Sequence, residues 1–236
     1  MFPFRAKLGI PSLGMRTVVR LLAELLITAG LVIALFVAHL TWGTDDYARR
    51  AQAGLNDELD ALWRKQTTVS AAVRPGGPRM VPQTAARPER GRAFAVIRIP
   101  RFGSAWRYAT VEGVSTADLA KGPGHYPGTA MPGQVGNTVF SGHRTTYGGP
   151  FNRVGELVAG DQILVDTATA THVYRVTGHK VVLPTDVSVV APVPGKPGAR
   201  PEKARLTLTT CHPKFSAAYR LIVFAELARS EPRASA

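Results

Sequence analysis

One cysteine, Cys211, is all the thiol that 236 residues contain. That excludes an intrachain disulfide framework and any structural zinc site needing two or more thiolates. A dense basic run interleaved with aromatics is also missing, although the formal net charge is +13. Nucleic acid is therefore not the partner that the charge points to. Lys plus Arg minus Asp plus Glu gives +3 for residues 1–42, +2 for 43–90 and +8 for 91–236. Charge this dispersed suits a surface facing anionic headgroups or an anionic polymer. There is no internal repeat and no acidic cluster beside the histidine or cysteine motifs, so neither a calcium site nor any cofactor is expected. His143, His212 and Cys211 lie in too carboxylate-poor a neighbourhood to read as a metal site.

Long apolar runs are equally scarce, with one exception. Val18–Trp42 is interrupted only by Arg20, Glu24, Thr28, His39 and Thr41. Its length matches the roughly 20 residues that span a bilayer. Arg20 and Glu24 are one helical turn apart and can pair. Arg5, Lys7, Arg16 and Arg20 precede or open the run with no acid among them, whereas Asp45 and Asp46 follow it. That asymmetry places the N-terminus in the cytoplasm and the rest of the chain outside. A cleaved signal peptide is the alternative, but no small-x-small site directly follows. The expected layout is a cytoplasmic stretch 1–17, an anchor 18–42, a juxtamembrane helix and linker 43–90, a folded domain 91–229 and a tail 230–236. In 44–66 the residues Ala48, Ala51, Leu55, Leu59 and Leu62 recur at helical spacing, which reads as a stalk. Residues 67–90 are rich in Pro, Gly and Arg and read as a linker.

From Phe94 onward the pattern is mainly β. Short apolar runs predict strands at Phe94–Ile99, Trp106–Val111, Thr138–Ser141, Gln162–Asp166, His172–Leu183, Arg205–Thr210 and Tyr219–Leu227. Thr116–Lys121 reads as a short helix, with another turn of helix in Phe151–Leu157. Such a chain builds a sandwich or a closed barrel.

An exported thiol without a partner is either incidental or a nucleophile. Cys211 follows an alternating run, Arg205–Thr210, and Pro213 should end that strand. A hairpin back through Tyr219–Leu227 would bring Arg220 opposite Cys211. A guanidinium there favours thiolate and can donate to a developing oxyanion. Amide chemistry also needs a proton donor for the leaving amine, and histidine is the usual one. Of the six histidines, His39 lies in the apolar segment, His172 and His179 fall inside a strand, and His212 should point away from its neighbour. His125 and His143 remain, with His143 favoured because a buried strand and a glycine present it at a rim. Arg144 and Lys214 read as solvated surface charges.

Together, Thr207-Leu208-Thr209-Thr210-Cys211, Tyr219-Arg220-Leu221-Ile222-Val223 and Ser141-Gly142-His143-Arg144 resemble the sortases, membrane-anchored cysteine transpeptidases of Gram-positive bacteria. Gly124–Gln134 and His143–Phe151 are similar to the class E branch of actinobacteria. The resemblance covers roughly 91–229 and implies a closed eight-stranded β-barrel with short helices behind one N-terminal transmembrane helix. It implies Cys211 as nucleophile, His143 as general acid/base and Arg220 as stabiliser, with Tyr126, Thr210 and Tyr147 at the substrate groove. The implied reaction cleaves a Leu-Ala-X-Thr-Gly or Leu-Pro-X-Thr-Gly signal on secreted proteins. The acyl group then passes to a lipid II-type precursor amine or a pilin lysine. Two rivals are weighed against it. An L,D-transpeptidase would need a Ser-x-Gly-Cys-x-Arg motif, which is absent. A non-catalytic, membrane-tethered wall-binding module leaves Cys211, His143 and Arg220 as coincidence. With ordinary values near 8.5 for Cys and 6.5 for His, the thiolate–imidazolium pair is only about one per cent of the neutral pair. Turnover should accordingly be slow.

Overall fold

The computed structural model describes residues 14–38, 43–71 and 87–233. His39, the end of the expected anchor and the linker stretch 72–86 lie outside the described residues. Helix α1, Met15–Ala38, has no buried residue and is long and apolar enough to cross a membrane. That suits a membrane anchor or a signal sequence. Arg20 Nε donates to Glu24 Oε1 at 2.9 Å, the pairing expected one turn apart.

The second unit begins with helix α2, Thr44–Ala71, and continues into the barrel. Eight strands follow: β1 Ala93–Arg98, β2 Arg107–Glu112, β3 Gly124–His125, β4 Gly136–Ser141, β5 Gln162–Asp166, β6 Ala170–Val182, β7 Ala204–His212 and β8 Tyr219–Pro232. They close in the order β1-β2-β3-β4-β7-β8-β6-β5. The barrel is mixed: β2–β3 and β4–β7 are parallel and the other pairs antiparallel. A barrel, not a sandwich, is what the alternating strands form. Helix α3, Thr116–Lys121, has the expected bounds and starts at a capping box made by Ser115 and Asp118. The helical turn expected within Phe151–Leu157 is a short 3-10 helix, Val154–Glu156.

Side-chain parity sets the two faces of the wall. Leu206 and Leu208 of β7, and Leu221, Val223 and Ala225 of β8, fill the interior with Phe140, Phe151, Ile163 and Tyr174. Ile222 lies on the outer face, beneath Val182 and Val189. The connection between β6 and β7 covers this outer face. Asn137 Nδ2 donates to the carbonyls of Val189 and Ala191, both at 3.1 Å, and Asn137 Oδ1 accepts from Thr207 Oγ1 at 2.8 Å.

Four sequence expectations need correction. Helix α2 is not a free stalk: Leu55, Leu59 and Trp63 pack on Ala93, Val96, Ala109 and Val111 of β1 and β2. Leu62, expected on the apolar face, is 38% exposed. Gln52 takes the central place instead, accepting from Ala109 N at 2.8 Å and donating to the Ala109 and Lys121 carbonyls at 3.0 and 2.8 Å. Strand β7 does not stop before Cys211 but carries it, since pairing with β8 continues to His212. Strand β8 runs into the expected tail because Ala170–Val173 of β6 extend the ladder to Pro232.

Candidate active site

The cysteine and arginine are brought together by register. Cys211 is the direct partner of Arg220 across the β7–β8 ladder. Directly opposed residues of an antiparallel pair share a face, with Cβ atoms about 4.5–5.5 Å apart. Parity puts that face outside, because Thr210 and Leu221 point inward while Cys211, Arg220 and Ile222 do not. Arg220 Nη1 donates to the carbonyls of Ala217 and Tyr219 at 2.9 and 3.0 Å, which folds the side chain back on its own loop. Its Nε and Nη2 make no hydrogen bond among the described residues, so donors remain available at the rim.

His143 arrives on the neighbouring strand. β4 runs parallel to β7 with Ser141 abreast of Thr209, so residues two further along each strand, His143 and Cys211, leave the barrel at the same end. The turn between is tied down twice: Gly142 N donates to the Thr209 carbonyl at 3.1 Å, and Thr210 Oγ1 donates to the Gly142 carbonyl at 2.7 Å. Gly142 has to be glycine, since a Cβ there would come within 2.7 Å of the Phe151 ring. The imidazole stacks on Tyr147 with centroids 5.0 Å apart and planes at 28°. Its Nε2 is buried with no hydrogen-bond partner among the described residues, and burial pushes the group below the usual histidine range.

His125 is placed quite differently. It is 0% exposed. Nδ1 lies 2.6 Å from Glu112 Oε2, while Nε2 is 3.0 Å from both the Ala130 carbonyl and Thr129 Oγ1. A carbonyl only accepts, so Nε2 carries hydrogen and a further proton is held between Nδ1 and Glu112. Both ring nitrogens are thus committed inside the barrel wall, and His125 has nothing left for a substrate. Of the other histidines, His172 Nδ1 lies 2.9 Å from Ser230 Oγ, and His179 is exposed on β6 opposite Val223.

The residues expected at the groove separate. Thr210 is only 2% exposed and its hydroxyl holds Gly142, so it is a strut beneath the site. The Tyr147 ring stacks on His143. Tyr126 is partly exposed, and its N–H donates to the Val139 carbonyl at 2.8 Å. Val139 is abreast of Thr207, which places Tyr126 four strand positions from Cys211, about 13 Å along the wall.

Arg144 is the residue that sequence reasoning missed. It is 8% exposed, not a solvated charge. Nη1 donates to the Cys211 carbonyl at 3.1 Å and Nε to the Asn152 carbonyl at 3.1 Å, while Asn152 Nδ2 donates to the Arg144 carbonyl at 2.9 Å. Burial lowers its basicity, and the Cys211 sulfur acts in the opposite sense. A buried cation thus braces the backbone of the cysteine and bridges it to the segment behind His143. Only its position directly after His143 hinted at this. Lys214 donates to Asn152 Oδ1 at 2.8 Å and remains exposed, as expected. No group of three or more His, Cys, Asp or Glu that could hold a metal occurs among the described residues.

The family model for the sortase domain matches residues 97–228. The chain belongs to the sortase family. Sortase SrtE1 of Streptomyces coelicolor is 33% identical over 91% of this chain, which spans only 58% of that relative. Sortase SrtE2 of the same organism is 30% identical over 90% of this chain and 83% of its own length. Among solved structures, sortase E1 from Streptomyces coelicolor with a tripeptide in the active site superposes with a TM-score of 0.57 at 36% identity, covering 62% of this chain and 94% of that one. The sortase barrel and the class E likeness both agree with the reading of the sequence motifs.

Proposed function

We propose that this sortase is a membrane-anchored cysteine transpeptidase. In this reading it cleaves a C-terminal Leu-Ala-X-Thr-Gly or Leu-Pro-X-Thr-Gly signal between Thr and Gly. The observation that carries it is the direct opposition of Cys211 and Arg220 on the outer wall, with His143 leaving the adjacent strand at the same end.

The Cys211 thiolate attacks the threonine carbonyl carbon, and the electron pair moves to oxygen. Arg220 donates to that oxyanion as charge develops. Collapse breaks the C–N bond, His143 imidazolium gives its proton to the departing glycine nitrogen, and a thioester remains. An acceptor amine then attacks the thioester and loses a proton to neutral His143. The new amide leaves and the thiolate is restored. A wall-precursor amine or a pilin lysine fills the acceptor role. Burial holds His143 against the imidazolium form, which favours slow turnover.

Tyr126 is the groove residue this reading retains. Four extended residues span about 13 Å, so the signal residues before Thr reach its level if they run along the wall. The single-pass anchor is α1, with the barrel on the outer side, where sorting-signal proteins and acceptor amines are found.

The test incubates the full chain with both peptides and a glycine-based amine, beside Cys211→Ala. Cys211-dependent cleavage between Thr and Gly with an amine-linked product supports the reading, and the faster peptide identifies the signal. Absence of cleavage, together with a Cys211 inert to thiol reagents, would reject it in favour of a tethered binding module.

A further inference from the structure

The loop that carries His143 is strained and is not held by the barrel alone. Tyr147, Gly148 and Gly149 have φ values of 52°, 74° and 48°, three successive left-handed residues. A tyrosine rarely adopts that conformation unless its surroundings enforce it. Part of that enforcement comes from α2. Gly148 N donates to Asp45 Oδ1 at 2.7 Å, and Ala48 is buried. The Tyr47 ring meets the Tyr147 ring edge-on, with centroids 6.2 Å apart and planes at 79°. Tyr147 in turn stacks on His143.

The contact matters because the His143 side chain makes no hydrogen bond among the described residues. Among the described residues no carboxylate or carbonyl fixes its ring, as the third member of a catalytic triad would. Its orientation therefore rests on packing, and the surface it packs on is Tyr147.

We propose that the first turn of α2 is a positioning device for His143: Asp45 fixes the loop backbone at Gly148, and Tyr47 backs the ring on which the imidazole rests. The inference depends on His143 being the general acid/base proposed above. It makes a helix that follows the apolar segment in sequence a functional part of the catalytic unit.

The test uses the full chain in detergent with Asp45→Ala, Tyr47→Ala, the conservative Asp45→Asn and Tyr47→Phe, and His143→Ala. Small misplacements of a catalytic group are costly, so each alanine variant should lose about tenfold or more in kcat. KM should stay within about twofold, because ground-state binding is not the function removed. Asp45→Asn keeps an acceptor and Tyr47→Phe keeps the ring edge, so both should recover most of the wild-type kcat. Hydrogen exchange at the Gly148 amide should speed up in Asp45→Ala and slow again in Asp45→Asn. Unchanged kcat in both alanine variants overturns the proposal. So does a rise in KM alone, or a loss that the conservative variants fail to restore. An active His143→Ala would sink the general-acid assignment instead. Gly148 exchange would still report whether Asp45 holds the loop, since that readout needs no substrate.

Discussion

Two of the three Gly-His pairs of this chain, Gly124-His125 and Gly142-His143, sit at neighbouring strands and have opposite fates. His125 lies within β3, directly opposite Glu112 of β2, and every polar atom of its ring is engaged. His143 lies just past the end of β4, half-buried, with a buried nitrogen that no described residue satisfies. A satisfied imidazole is a structural pin, because its proton is already shared. An unsatisfied one at the barrel end that also carries the thiol is left available for the proton-transfer role proposed for His143. Saturation of hydrogen bonds separates the two roles better than burial alone or the local motif.

The contrast can be broken most directly by exchanging the losses. His143→Ala should lower kcat by about 100- to 10,000-fold, the usual range for removing general acid–base catalysis, with little change in melting. His125→Ala should do the reverse. It leaves Glu112 buried without its partner and should cost about 3 kcal/mol or more of stability, while the molecules still folded turn over near the wild-type rate. Paired urea melts and peptide-cleavage assays would check both, and an inactive but stable His125→Ala would overturn the assignment.

A smaller effect sharpens the role of the facing cation. Arg220→Ala should cost about 100-fold or more in kcat through lost oxyanion stabilisation. Arg220→Lys should recover only part of it, since an ammonium cannot reproduce the planar fork. Full recovery in steady-state assays would reduce Arg220 to a point charge.

Arg144 should behave as a hybrid of the two regions. Removing a buried donor from the Cys211 and Asn152 carbonyls should cost about 1–3 kcal/mol in denaturant melts. A fall in kcat should accompany it, because the braced backbone is that of Cys211, the proposed nucleophile. Loss of stability with an untouched kcat would confine Arg144 to the scaffold.

The mildest expectation concerns pH. Burial lowers the His143 pKa, so the acid limb of kcat/KM should lie below 6.5. The same shift means that the unfolded chain binds more protons than the folded one between the lowered value and 6.5. Stability from this group is thus present above 6.5 and falls away as the pH drops through that window. An acid limb above 6.5 in a pH–rate series would contradict the buried imidazole.

Much of the site was legible because it is local. Cys211 and Arg220 are joined by a short hairpin, so alternation and one turn residue were enough to oppose them. β5 and α3 were found at their observed bounds because each carries its own period or cap. β3 was not found, since two residues show no period and only their neighbours β2 and β4 define them as strand. β4 begins two residues earlier than its apolar run suggests because Ala204 and Arg205, nearly seventy residues away, pair with Gly136 and Asn137.

By itself, the sequence determined the apolar N-terminal helix, the mainly β character, and the cysteine–arginine pair with its candidate histidines, because periodicity, turn chemistry and short loops act within a few residues. Only the tertiary structure decided that the His125 ring is saturated while His143 Nε2 is not, that the Thr210 hydroxyl holds Gly142, that Arg144 is buried behind Cys211, and that α2 packs on the barrel. Each of those depends on hydrogen bonds and packing between segments far apart in the chain, where no local pattern records the partner.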